Sequence, residues 1–314
     1  MTTVARPSAV ALVTVVRGRH DHLERQLWGL RRQTRRPDLH VVVAMDDPEG
    51  ESIAHRELGD HGVHVHSIAL RGGRLPLAAA RNLGVKAAVD AGADALVLLD
   101  VDCIPSPSLV ERYAAVLSAA DGGIADSVAG APVVLSGEVA YLPEAPAGID
   151  YRDLDLAAMA RPHPARPALG PEDVVPADDL RLFWSLSFAL TVSSWRTIGG
   201  FDESYVGYGG EDTDFAQRLG AAGGRLLWVG GARADHQHHP TSSPPVHHLH
   251  DIIENANRFA DRWGWWPMEG WLDAFAEMGL AERDDGAWHV ITEDARSRSR
   301  RMPSRRRPAP LRTR

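Results

Sequence analysis

Short apolar runs rich in β-branched residues alternate with amphipathic stretches through the first half of the chain. Val10–Val16, 39–44, 63–70 and Ala95–Leu99 are continuous rather than alternating, the pattern of strands buried on both faces of a parallel sheet. Between the first two runs, Leu23, Leu27 and Leu30 recur at helical spacing, which predicts a helix over 21–33 capped by Asp21. Residues 77–91 read as an Ala-rich helix ending at Gly92, and Ser106-Pro107 starts another that runs to about Ser118. This alternation predicts an α/β fold of βαβ units, with ligands at the carboxyl ends of the strands. From Tyr141 to about Asp179 the pattern gives way to a Pro- and Asp-rich stretch expected to wrap the surface or lie over a site. Regular elements then resume: a strand over 187–192, a helix over Glu211–Ala221, a strand over 225–229 and a helix over 247–262. No internal repeat is present.

Composition adds little to this picture and excludes some classes. Hydrophobic residues at 44% and charged residues at 24% are those of an ordinary globular chain long enough for a sizeable core. The single cysteine, Cys103, excludes an internal disulfide and fits a reducing compartment. No apolar run approaches the roughly 20 residues that cross a bilayer, and no signal-peptide core is evident, so cytoplasmic residence is expected. The net charge of −8 conceals an asymmetry, because residues 296–314 hold nine arginines and no acid. That tail is expected to be disordered and suited to peripheral contact with an anionic membrane face. The acidic remainder argues against a nucleic-acid partner.

Three motifs carry chemistry. Asp100-Val101-Asp102 follows a buried strand directly, and alternate residues of an extended segment point the same way, so both carboxylates are expected to face one ion. Hard oxygen ligands suit Mn²⁺ or Mg²⁺, and such an ion can bridge a diphosphate. Gly207-Tyr208-Gly209-Gly210-Glu211-Asp212 combines a tight turn with two acids that open a helix, where ordinary capping would also place them. Asp235-His236-Gln237-His238-His239 offers imidazoles that can complete a carboxylate-held ion. A separate zinc site is the competing reading, without clustered cysteines to support it.

Taken in order, these motifs resemble glycosyltransferase family 2 and, in the second half, the β-1,4-galactosyltransferase family; the likeness runs from about Ala9 to Gly264. Val41-Val42-Val43-Ala44-Met45-Asp46-Asp47 looks like the end of that family's second strand, and Ala78-Ala79-Ala80-Arg81-Asn82-Leu83-Gly84 like the helix before its metal motif. Gly199-Gly200-Phe201-Asp202-Glu203, Gly209-Gly210-Glu211-Asp212 and His236-Gln237 follow the order of its acceptor half. The resemblance implies a GT-A fold, a mostly parallel Rossmann-like sheet flanked by helices, with a helical and aromatic C-terminal extension. It implies a domain over 1–264, with a nucleotide-sugar half at about 9–135 and an acceptor half at 180–264, then an aromatic cap over 265–295. It also implies an inverting transfer from a nucleotide sugar, expected to be a UDP-sugar, to a carbohydrate, lipid-linked or small-molecule acceptor. By it, Asp102, Asp100 and His236 bind Mn²⁺ or Mg²⁺, Asp46, Arg81, Asp100 and Asp102 contact the donor, Asp212 is the catalytic base and Glu211 orients the acceptor. Val206-Gly207-Tyr208 departs from the family's Trp-Gly-Trp, and Asp46-Asp47-Pro48 from its Asp-Gly-Ser.

Arg71 and Arg74 are candidates for phosphate contacts. Three other readings stand beside the transferase: a sugar nucleotidyltransferase, a non-catalytic sugar-nucleotide or carbohydrate binder, and a metal-dependent hydrolase built on the histidines. Phe259, Trp263, Trp265, Trp266, Trp271 and Phe275 read either as a packed cap or as a stacking surface for sugar.

Overall fold

A computed structural model gives the structure of the chain and describes residues 9–59, 62–121 and 130–292. The arginine tail expected over 296–314 lies outside the described residues. The chain divides into two compact units, Met1–Pro240 and Thr241–Arg314.

The first unit opens with β1 (Val10–Val16), α1 (His20–Arg31), β2 (Leu39–Met45), α2 (Pro48–Leu58), β3 (Val63–Ile68), α3 (Leu77–Asp90) and β4 (Ala95–Leu99). It continues through β5 (Cys103–Pro105), α4 (Leu109–Asp121), β6 (Val133–Tyr141), α5 (Leu156–Met159), β7 (Arg161–Pro162) and β8 (Val174–Pro176). It closes with β9 (Ser187–Thr191), α6 (Val192–Ile198), α7 (Glu211–Ala221) and β10 (Arg225–His236). The strands form one sheet in the order β3-β2-β1-β4-β9-β6-β10-β5, with β7 beside β6 and β8 beside β10. β3, β2, β1 and β4 are parallel, β9 runs against both β4 and β6, and β10 is again parallel to β6.

The continuous apolar runs arise because both faces of the sheet are covered. Val10, Leu12 and Val16 of β1 pack into one core with Leu23, Leu27 and Leu30 of α1. Ala11, Val13 and Val15 enter the opposite core with Ala80, Val85 and Ala88 of α3. Gly84 lets α3 lie close to the sheet, since a Cβ there would meet Val13 Cγ1 at 2.5 Å. β1, β2, β4 and β9 thus form as the apolar pattern predicts.

Several local expectations need correction. Asp21 lies in the first turn of α1 and does not cap it. α2 was not apparent, and its cap is Asp47, whose side chain accepts from Gly50 N. Val192 begins α6 instead of ending β9, because Thr191 caps that helix by accepting from Ser194 N at 3.1 Å. β10 runs on to His236, past an irregularity between Val229 and Ala234. The stretch after Tyr141 holds only short elements, among them α5, β7 and β8.

The second unit holds α8 (Leu249–Trp263), α9 (Glu269–Glu277) and a hairpin of β11 (Ala281–Asp284) and β12 (Ala287–Val290). Its core joins Leu249, Ile252, Ile253, Leu272, Phe275 and Trp288, with Trp266 and Trp271 packed against it. Phe259 is also fully buried. Packing therefore accounts for Phe259, Trp266, Trp271 and Phe275 of the aromatic segment. No helix among the described residues is long and apolar enough to cross a membrane.

Candidate functional site

The carboxyl ends of β1, β2, β4 and β10 lie on one edge of the sheet, and the acidic and histidine motifs gather there. After Leu99 the chain does not stay extended: Cys103 N donates to Asp100 O at 2.9 Å, closing a turn over Asp100–Cys103. Gln26, buried on α1, pins this turn by donating to Asp100 O at 2.7 Å and Cys103 O at 3.2 Å. The turn cancels the two-residue alternation, so Asp100 and Asp102 take different partners.

Asp102 turns toward the end of β10. β5 pairs with β10 so that Cys103 lies opposite His236, and Gln237 N donates to Asp102 O at 2.7 Å. Ligand atoms of Asp102, His236 and His239 fall within 4.8 Å of one another. Burial pushes the His236 imidazole down to about 4, so it is neutral and can offer a lone pair at neutral pH. Arg19 Nη1 donates to Asp102 Oδ1 at 2.8 Å. One carboxylate and two imidazoles this close together fit a divalent transition-metal ion such as Mn²⁺.

Asp100 instead accepts from Arg81 Nη2 at 3.0 Å. It is absent from the Asp102–His236–His239 group, contrary to the expectation that both acids face one ion. Arg81 is buried on α3, and its Nη1 donates to Glu211 Oε1 at 3.1 Å while its guanidinium lies 5.2 Å from the Phe201 ring centre. Burial opposes the Arg81 charge, but Asp100 and Glu211 outweigh it and hold the guanidinium firmly protonated. The neighbouring Asn82 both donates to Phe201 O and accepts from Phe201 N, each at 2.9 Å. Two adjacent residues of α3 therefore fasten the loop that leads into Gly209-Gly210-Glu211-Asp212.

That loop needs its glycines, for Gly207, Gly209 and Gly210 have φ of 82°, 91° and 91°. The turn delivers a buried Glu211 and a half-buried Asp212 to the first turn of α7. Burial, and then the Glu211 carboxylate, push Asp212 up to about 7. Beneath the turn Phe201 and Phe215 stack at 4.7 Å, with Phe183 5.7 Å from Phe215, so α7 rests on a rigid aromatic floor.

The other candidates are placed less centrally. Asp46, at a positive φ of 52°, pairs with Arg17 at 3.1 Å and is largely exposed at the end of β2. Asp47 is structural: besides capping α2 it accepts from Gly18 N at 2.7 Å and lies 2.8 Å from His20 Nε2. Arg71 pairs with Glu203 at 3.0 Å, and Arg74 donates to Val206 O, so both guanidiniums brace the 203–206 loop. The sequence reading missed Arg19 and Gln26 and left the part of His239 open; only the His-x-x-His spacing of 236 and 239 pointed to it.

Comparison with known proteins gives matches in both halves of the sheet. Residues 11–138 match the family model described as glycosyl transferase family 2, and residues 173–241 that of the N-terminal domain of galactosyltransferase. A validoxylamine A glucosyltransferase of Streptomyces hygroscopicus subsp. limoneus is 28% identical over 223 residues, 64% of this chain and 45% of that one. A protein of the same name from Streptomyces hygroscopicus subsp. jinggangensis (strain 5008) is 44% identical over 41 residues, 13% of this chain and 10% of that one. The chain thus spans less than half the length of these curated relatives. Among solved structures, GalNAc-T7 with UDP, GalNAc and Mn²⁺ superposes with a TM-score of 0.58 at 17% identity, over 94% of this chain and 54% of that one. S. aureus TarS 1–349 gives 0.54 at 12% identity, over 87% and 71%. The fold is that of the GT-A glycosyltransferases.

Proposed function

We propose that this chain, a family 2 glycosyltransferase by its residues 11–138, moves a sugar from a nucleotide-sugar donor, a UDP-sugar, to an acceptor hydroxyl with inversion. The observation that carries the reading is the Arg81 clamp. One buried guanidinium holds Asp100 of the turn after β4 and Glu211 of the turn before α7, which keeps the two acidic motifs at a fixed separation.

In this reading the donor diphosphate lies at the Asp102–His236–His239 group. A divalent ion held there by those three side chains would supply counter-charge for the leaving diphosphate. Arg19, already beside Asp102, would reach the same oxygens. The exposed Asp46 at the end of β2 would meet the nucleoside. Asp212 would take the proton from the acceptor hydroxyl as that oxygen attacks the anomeric carbon, a contribution of about 10²–10⁴ in rate. A carboxyl held up to about 7 suits this, since it is a stronger base than an ordinary carboxylate yet ionised at slightly alkaline pH. Glu211, tied to Arg81, would fix the acceptor's approach.

The test is the anomeric configuration of the product. An α-linked UDP-sugar incubated with Mn²⁺ and acceptor should give the β-linked product by proton NMR. An α-linked product would overturn the single displacement, and donor binding with no product across a broad acceptor panel would favour the non-catalytic binder.

A further inference from the structure

One charged group near this site has no ion-pair partner among the described residues. Arg166 sits in the segment between β7 and β8, and its guanidinium lies 4.6 Å from the Trp184 ring centre and 4.2 Å from that of Trp228. A guanidinium against two indoles gains cation–π energy but loses water. Its Nη1 is buried without a hydrogen-bond partner, and no carboxylate among the described residues forms an ion pair with it. Burial lowers its hold on the proton to about 10, while the field of Asp212 works the other way. A desolvated cation with an unused N–H is costly unless something pairs with it. The other cations around the site already have partners: Arg81 holds Asp100 and Glu211, Arg19 holds Asp102, and Arg71 holds Glu203.

The surroundings of Arg166 have the character of a sugar-binding wall. His163 meets Trp184 edge-on at 4.7 Å and stands 5.9 Å from Tyr141, which in turn lies 5.0 Å from His236. A row of rings thus leads from the diphosphate end of the site to Arg166, and Asp212 is close enough to influence both Tyr208 and Arg166. From this arrangement we infer that Arg166 binds an oxyanion carried by the acceptor, so the preferred acceptor is an acidic or phosphorylated sugar or polyol. This rests on the transferase reading for the assignment of acceptor, though not for the binding of the anion. The diphosphate of the donor is assigned to the other end of the row, which leaves the anion at Arg166 to the acceptor.

Binding and turnover together test it. The full chain is titrated with glucuronate, glucose 6-phosphate and glucose, read by the fluorescence of its tryptophans and by calorimetry, with Arg166→Met and Arg166→Lys alongside. The two anions should bind about ten- to a hundred-fold more tightly than glucose. Arg166→Met should abolish that preference while leaving glucose and UDP affinity unchanged, and Arg166→Lys should retain part of it. If glucuronate binds and glucose 6-phosphate does not, the source is a carboxylate; the reverse makes it a phosphate. Equal affinity for all three, or a preference that survives Arg166→Met, overturns the inference. In turnover the variant should raise KM for the anionic acceptor and leave kcat nearly unchanged. Anion binding without sugar transfer would defeat the transferase reading and leave the Arg166 site standing, so the two fail separately.

Discussion

Replacing Asp212 with Asn perturbs catalysis and stability in opposite directions. The carboxyl rises from an ordinary 3.8 to about 7, first through burial and then through Glu211. A folded-state acid with a raised pKa holds its proton more tightly than the unfolded chain does between about pH 4 and 7. Stability is therefore lost as pH rises through that window, and the full cost is present above it. The rise corresponds to about 4 kcal/mol, which partial solvent access to the half-buried side chain reduces to about 2–3 kcal/mol. Asn keeps the size and cannot ionise. The variant should therefore melt on the order of 5 °C higher at pH 8, with the gain fading toward pH 4. Transfer should fall about 10²–10⁴-fold because the base is gone, with donor affinity retained. Scanning calorimetry from pH 4 to 8 reads the first effect, and rapid-quench turnover at saturating donor the second. An Asn variant no more stable than the parent at pH 8, or one turning over within a few-fold of it, refutes the reasoning.

Arg81→Met should cost about 3–5 kcal/mol in urea denaturation, since it leaves the buried Glu211 and the half-buried Asp100 without their cation; adding Glu211→Gln should recover part of the loss. Gly84→Val should destabilise by about 1–3 kcal/mol or more, because its side chain must push into Val13 of β1. Asp102→Ala and His236→Ala should each weaken Mn²⁺ binding at least about tenfold by electron paramagnetic resonance, with the melting temperature little changed, and His239→Ala should act in the same direction. Because His236 is held down to about 4, proton competition at this imidazole should leave Mn²⁺ affinity intact at pH 6 and reduce it only toward pH 4.

The first half of the sheet was largely legible because β1, β2 and β4 are buried on both faces, and nothing but an apolar run fits there. β6 was not, although it is central: Ser136, Gly137 and Glu138 interrupt its apolar character. Gly137 is required where a Cβ would collide with Ala232 O, and Ser136 lies opposite Phe188 in the register with β9. Neither demand leaves a trace in periodicity. The three motifs declared themselves through their order and residue types, and the fold brings Asp102 beside His236. What the sequence could not convey was direction. Alternation predicted that Asp100 and Asp102 share a face, but the turn closed by Cys103 N sends Asp100 to Arg81. Nor was the part of Asp47 legible, since it is consumed by capping α2 and receiving Gly18 N. Arg166 carried no signal at all, since its meaning lies in two tryptophans that are 18 and 62 positions away in the chain.

The central claim is that this edge of the sheet holds a nucleotide sugar and a metal together and transfers the sugar. Release of nucleotide diphosphate from a panel of nucleotide sugars, with acceptors supplied and with Mn²⁺ or a chelator, tests it most directly. The account predicts release from at least one UDP-sugar that stops on chelation, returns with Mn²⁺ and fails in Asp212→Asn. Release that is indifferent to chelator, or that persists undiminished in Asp212→Asn, would contradict it.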